Sequence, residues 1–129
     1  MRVNNKQIAT AVPLNASYNS PYQPLKYIYM YSIAANISGT PNGVIKLQAS
    51  NDPETNDTQT NSATNLPPSV IPTNWIDIVN SPFTVNTLNG SVMWNVDFVG
   101  YNYVRVVYTD ASGGTSTATM NLVYNGKGD

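Results

Sequence analysis

Leu25-Lys26-Tyr27-Ile28-Tyr29-Met30-Tyr31-Ser32-Ile33-Ala34-Ala35-Asn36-Ile37-Ser38 decides the fold class. An amphipathic helix would gather its apolar residues three and four apart; here they recur at every second position. An extended strand would carry Tyr27, Tyr29, Tyr31, Ile33, Ala35 and Ile37 on one face. Ile28, Met30, Ser32, Ala34 and Asn36 would lie on the other. Gly39-Thr40-Pro41-Asn42-Gly43 follows as a turn, in which Asn-Gly supplies positive φ. Val44 to Ser50 then returns with Ile45, Leu47 and Ala49 inward and Lys46 and Gln48 outward. The pair reads as a hairpin.

Working outward, the same period continues toward the C-terminus. Trp75-Ile76-Asp77-Ile78-Val79 and Phe83 to Leu88 read as strands, and Asn89-Gly90 makes a second hairpin turn into Ser91 to Val96. In Tyr101 to Thr109, Val104, Val106 and Tyr108 alternate against Tyr103, Arg105 and Val107. Asp110 to Gly114 is a turn, and Thr115 to Tyr124 closes the domain before the polar tail Asn125 to Asp129. In residues 1–24, Pro13, Pro21 and Pro24 interrupt a polar stretch that holds one short strand, Gln7 to Val12, so the segment reads as an extended arm or an edge strand. Residues 51–74 form a long loop insert rich in Asn, Thr, Pro, Asp and Ser.

These readings predict an all-β chain: a single antiparallel β-sandwich over residues 25–129 with seven or eight strands, a count that fits a jelly roll and also other sandwich topologies, and an extended N-terminal arm or edge strand over residues 1–24. Ile33, Leu47, Trp75, Phe83, Trp94, Val104, Val106, Met120 and Leu122 are the expected core. The arm, Met1 to Pro24, and the insert, Asp52 to Pro72, are expected to be contact devices outside it. Their apolar side chains are Tyr18 and Tyr22 in one, Leu66 and Val70-Ile71 in the other.

The composition narrows the chemistry. Only 10% of the 129 residues are charged and the net charge is −1, so no field invites nucleic acid or an anionic membrane. Eighteen asparagines, with Ser and Thr, build a neutral hydrogen-bonding surface instead. The chain has no Cys and no His. Disulfides, thiolate nucleophiles, zinc–thiolate sites, the commonest general base and the commonest transition-metal ligand are therefore all missing. Neither a signal-peptide apolar run nor a stretch near the ~20 apolar residues of a membrane span occurs, which predicts synthesis in a cytoplasm without export.

Asp52, Glu54 and Asp57 could be assembled into a calcium site with Asn51 and Asn56, but their spacing lacks the Gly and terminal Glu of an EF-hand loop, and a solvated loop explains them. Asp77 and Asp97 could be proposed as a glycosidase pair, yet both fall at strand positions where an outward carboxylate is ordinary. Nothing around Lys26 or Lys46 suggests activation of a Ser or Thr hydroxyl. No catalytic, cofactor-binding or metal residue is assigned, no cofactor is expected, and the chain is not expected to be an enzyme. The nine tyrosines divide between core filling, protein interfaces and sugar stacking. Arg105, mid-strand among aromatics, reads as a stacked or paired structural arginine.

One ordered pattern carries a resemblance. Ile45-Lys46-Leu47-Gln48-Ala49-Ser50-Asn51-Asp52, Trp75-Ile76-Asp77-Ile78, Trp94-Asn95-Val96, Tyr101-Asn102-Tyr103-Val104-Arg105-Val106-Val107-Tyr108 and Ser112-Gly113-Gly114-Thr115 follow in sequence. Over roughly residues 28–124 this resembles small β-sandwich virion proteins of tailed bacteriophages, associated with the head, neck or fibres. The likeness implies a non-enzymatic structural component, a capsid decoration or other head- or neck-associated protein located in the virion. Its partners would be major capsid or neck and tail proteins and copies of itself, with neither nucleic acid nor membrane. The Ser-Asn-Asp, Trp and Tyr-Val-Arg spacing also looks like discoidin-type jelly rolls, which implies the alternative of a carbohydrate- or host-surface-binding module. There Ser-Asn-Asp runs directly into the Trp strand; here Pro53 to Asn74 intervenes. Neither family transfers an individual functional residue.

Overall fold

The computed structural model describes residues 2–53, 71–86 and 91–128. They form ten strand segments: β1 (Arg2–Pro13), β2 (Tyr18–Asn19), β3 (Gln23–Pro24), β4 (Ile28–Ser38), β5 (Gly43–Ser50), β6 (Ile76–Asp77), β7 (Phe83–Val85), β8 (Ser91–Asp97), β9 (Tyr103–Asp110) and β10 (Thr119–Gly128). All pairings are antiparallel and make two sheets, one in the order β1-β10-β4-β8, the other in the order β2-β9-β5-β6 with β3 also on β9 and β7 also on β5. The pairings are nested. First joins last (β1 with β10), then β2 and β3 join β9, β4 joins β8, and β5 joins β6 and β7. A long antiparallel ribbon folded at its middle and rolled up gives this order, with β10 closing on β4 and β9 on β5. It is a jelly roll of eight strand positions, two of which are broken into short pieces.

Rolling up corrects both hairpins. β4 and β5 lie in different sheets, so Gly39 to Asn42 arches over the end of the sandwich. The positive φ of that arch is at Gly39, 94°, and Gly43 already belongs to β5. A Cβ on Gly43 would meet the Tyr108 ring 2.8 Å away, so this glycine is required for close approach. β7 and β8 are likewise in different sheets; Leu88 and the Asn89-Gly90 turn lie outside the described residues. Local turn chemistry cannot tell an arch from a hairpin, since both need the same turn residues.

The N-terminal segment is the edge strand of its own sandwich, and the expectation of a contact device outside the core is corrected. β1 pairs along β10 from Arg2↔Gly128 to Pro13↔Thr119, and Ala9, Val12 and Leu14 are buried in the core. Its polar look comes from two register shifts, which break the alternation and place Ala11 at φ 50°. There the Asn121 side chain accepts the Ala11 amide at 2.7 Å. Pro21 separates β2 from β3. Ser20 bridges the gap: its amide donates to the Val106 carbonyl at 2.8 Å and its hydroxyl accepts the Val106 amide at 2.9 Å.

In the core, Ile33, Leu47, Trp94, Val104, Val106, Met120 and Leu122 are buried as expected. Two corrections apply. Trp75 is half-buried on the outside of the second sheet, and Phe83, at 43% exposure, sits at an open flank against Trp94. Both precede or begin edge segments too short to be covered on both sides. In β4, Tyr31, Ile33, Ala35 and Ile37 point inward, but Tyr29, and Tyr27 just before the strand, do not. A register shift between Lys127↔Met30 and Gly128↔Ile28 leaves Tyr29 as the extra residue of a bulge, and the phase reverses there. The polar tail is also corrected: Asn125 to Gly128 continues β10, with Gly126 and Gly128 at inward positions. A Cβ on Gly126 would run into the Tyr124 hydroxyl, and one on Gly128 into the Tyr27 carbonyl. Tyr31 donates or accepts at 2.7 Å with Tyr101 and packs 6.0 Å from Tyr124. Burial raises the pKa of all three phenols, that of Tyr124 to about 12.

Candidate functional site

The outer face of the β9–β5–β6 sheet carries a continuous network, because outward positions of adjacent strands stand opposite one another. The register sets Arg105 beside Gln48 and Gln48 beside Asp77. Arg105 donates from Nε and Nη2 to Gln48 Oε1 at 3.0 and 2.7 Å. Gln48 Nε2 donates to Asp77 at 2.9 Å, and Lys46 pairs with the second Asp77 oxygen at 2.9 Å. Gln48, and then Lys46, lower the Asp77 pKa, while desolvation lowers that of Arg105. The Arg105 guanidinium lies 4.3 Å above the Trp75 ring. Trp75 leads on to Tyr22 at 6.5 Å, and Tyr22 stands edge-on to Tyr103 at 5.3 Å. Arg105 is thus both stacked and paired, and its bonds bind strands together.

The candidate carboxylates are separated. Asp77 faces outward on this sheet, whereas Asp97 ends β8 on the outer face of the other. Sheets pack about 10 Å apart, so two carboxylates on opposite outer faces cannot flank one glycosidic bond. Of the loop acids, Glu54 and Asp57, with Asn56, lie outside the described residues. Asp52 accepts the Thr73 and Asn74 amides at 2.7 and 3.0 Å and the Asn74 side chain at 3.0 Å. Those donors hold its carboxyl down to about 2. Asn102 adds a bond to the Asp52 carbonyl at 2.9 Å. Asp52 is a clamp that closes the base of the insert. Among the described residues no group of three or more potential metal ligands assembles. Leu66 and Val70 lie outside the described residues, while Ile71 is 72% exposed.

The feature that sequence reasoning missed is an apolar cluster at one end of the sandwich. Tyr29, Met30, Phe98 and Val99 line an open cleft of about 580 Å³. Phe98 is 96% exposed, and Tyr27 and Tyr29 are 60% and 55% exposed. Phe98 and Tyr27 both hold positive φ, 59° and 66°, a conformation unfavourable for bulky side chains and often kept where function requires it. The Val99 amide bonds the Tyr29 carbonyl at 3.0 Å and ties the two sides together. Continuing the alternation of Trp94 and Val96 would put Phe98 inside; only the left-handed backbone turns it out. No sequence signal marks that turn.

The fold has a structural counterpart. The crystal structure of the SPBc2 prophage-derived protein YomS matches 97% of this chain and 92% of its own, with a TM-score of 0.52 and 11% identity. At that identity the likeness establishes a shared fold. No protein-family model matches the chain, and no curated protein matches it in sequence.

Proposed function

We propose that this chain is a non-enzymatic structural component of a bacteriophage virion, a capsid decoration or other head- or neck-associated protein, acting through protein–protein contacts. The observation that carries the reading is the Tyr29–Met30–Phe98–Val99 cluster. Aromatic residues and Met are enriched at interfaces, and a few such anchors usually dominate binding. A nearly uncharged surface suits dense packing among neighbours, since little charge must be desolvated. The prophage origin of the structural neighbour and the likeness to phage virion sandwiches support the same reading. Partners would be major capsid or neck and tail proteins. The test is incorporation: Phe98→Ser should abolish uptake of the chain into particles while leaving its melting temperature close to unchanged, because the side chain it removes is exposed. Normal uptake of the variant would overturn the assignment of the cluster.

A second reading, a carbohydrate- or host-surface-binding module, is favoured by Tyr22 and Trp75 on the outer face of the sheet. Glycan-array binding that disappears in Trp75→Ala would replace the first reading with this one.

A further inference from the structure

β8 is an edge strand of unusual openness. It pairs with β4 through seven consecutive residues, Ser91↔Asn36 to Asp97↔Met30, without a register shift. Among the described residues nothing pairs with its other side. The opposite edge of the same sheet is protected in the usual ways: β1 carries two register shifts, Lys6, Pro13 and a left-handed Ala11. Bulges, lysines and prolines of this kind prevent strands from adding to an edge. β8 has no Pro, Lys or Arg, and its only charge is Asp97 at the end. The core is also open along this flank. Val92 and Val96 are only half-buried on either side of Trp94, and Phe83 rests on Trp94 at 6.1 Å with 43% of its surface exposed.

We infer that β8 is a two-fold interface at which it pairs antiparallel with β8 of a second copy of this chain, centred on Trp94. The sequence of the strand favours that occupant, because about Trp94 it sets valine against valine (Val92, Val96) on the inward face and polar against polar (Ser91, Asp97) at the ends. Rotation about Trp94 sets Val92 against Val96 of the second copy on the inward face. On the outward face it sets Met93, 64% exposed, against Asn95. At the ends each Asp97 carboxylate meets the hydroxyl of Ser91. The two Asp97 side chains stand about 20 Å apart at ~3.4 Å per residue, beyond the ~8 Å screening length at physiological salt. No like charges oppose, and each apolar inward residue meets another. Pairing of β8 with β1 of a second copy would instead meet the shifted, proline-ended edge. An isologous contact closes at two copies, so it completes the flank without propagating into a fibre. The inference stands whether or not the chain belongs to a particle.

Sedimentation of the full chain should give twice the 14.0 kDa monomer mass. Val96→Lys should weaken self-association by roughly 100-fold or more, since its ammonium would be buried opposite Val92 of the second copy. The isolated subunit can extend the lysine stem to water, so its circular dichroism should not change. A second measurement keeps the test valid if that variant fails to fold. The chain has no cysteine, so Met93→Cys combined with Asn95→Cys introduces the only thiols. Within one copy those positions point the same way two residues apart, too far to bond; across the two-fold axis each faces the other. Mild oxidation should give covalent dimers, and Asn5→Cys on β1 should remain monomeric. A monomeric wild-type chain at high micromolar concentration, a dimer unaffected by Val96→Lys, or cross-linking through Asn5→Cys with none through β8 would each overturn the inference.

Discussion

The Ser81 hydroxyl accepts the Leu47 amide at 3.1 Å and donates to the Ile78 carbonyl at 2.7 Å, while the Ser81 carbonyl accepts Trp94 Nε1 at 2.8 Å. One buried serine therefore joins β5, the turn after β6 and the core tryptophan of the facing sheet. Ser81→Ala leaves the Leu47 amide buried without that acceptor, which costs about 1–3 kcal/mol. The melting temperature should fall by several degrees; an unchanged value would show that the backbone finds another partner. Nothing in Asn80-Ser81-Pro82 announced this role, because a serine beside a proline reads as an ordinary turn. Where side chains only had to alternate, as at Ile33, Leu47, Val104 and Val106, the sequence was sufficient. Where the backbone leaves its regular path, at Ala11, Tyr27, Tyr29 and Phe98, it was not. A bulge or a left-handed residue reverses the phase of everything beside it, and an isolated Ala, Tyr or Phe carries no sign of having done so.

At the scale of elements, the proline-punctuated start was legible as an edge but not as a full strand. β1 covers one side of β10 and supplies Ala9 and Val12 to the core. Deleting residues 1–13 exposes β10 and should cost on the order of the whole stability of such a domain, about 5–15 kcal/mol. The truncated chain is expected to be unfolded by circular dichroism; a folded variant melting as the full chain does would contradict the role given to β1. The two ends of the insert are joined by the Asp52 clamp to Thr73 and Asn74. Its carboxyl, at about 2 against 3.8 in its unperturbed state, is depressed by donors that need it ionised. The stabilisation is thus fully present above about pH 4 and is lost as pH falls through 2. Amide shifts of Thr73 and Asn74 followed on acidification should move near pH 2; movement centred near pH 4 would mean that the clamp is not formed in solution.

For the whole molecule, alternation and turns sufficed to predict an antiparallel sandwich, and the count of strand positions suited a jelly roll. Its nested order did not follow from any local signal, since Arg2 finds Gly128 and Tyr18 finds Tyr108 across nearly the full chain. The candidate site was legible only in part. Arg105 beside aromatics was readable as a stacked residue, whereas the end-of-sandwich cluster depends on left-handed residues that sequence does not reveal. The proposed role rests on that cluster and on a surface with little charge. The most direct test of the proposed virion role is quantitative mass spectrometry of phage particles purified from cells that express the chain. A structural component should be present at a fixed copy number per particle, in constant ratio to the major capsid protein through successive purification steps. A chain found in the lysate but absent from purified particles would contradict the account.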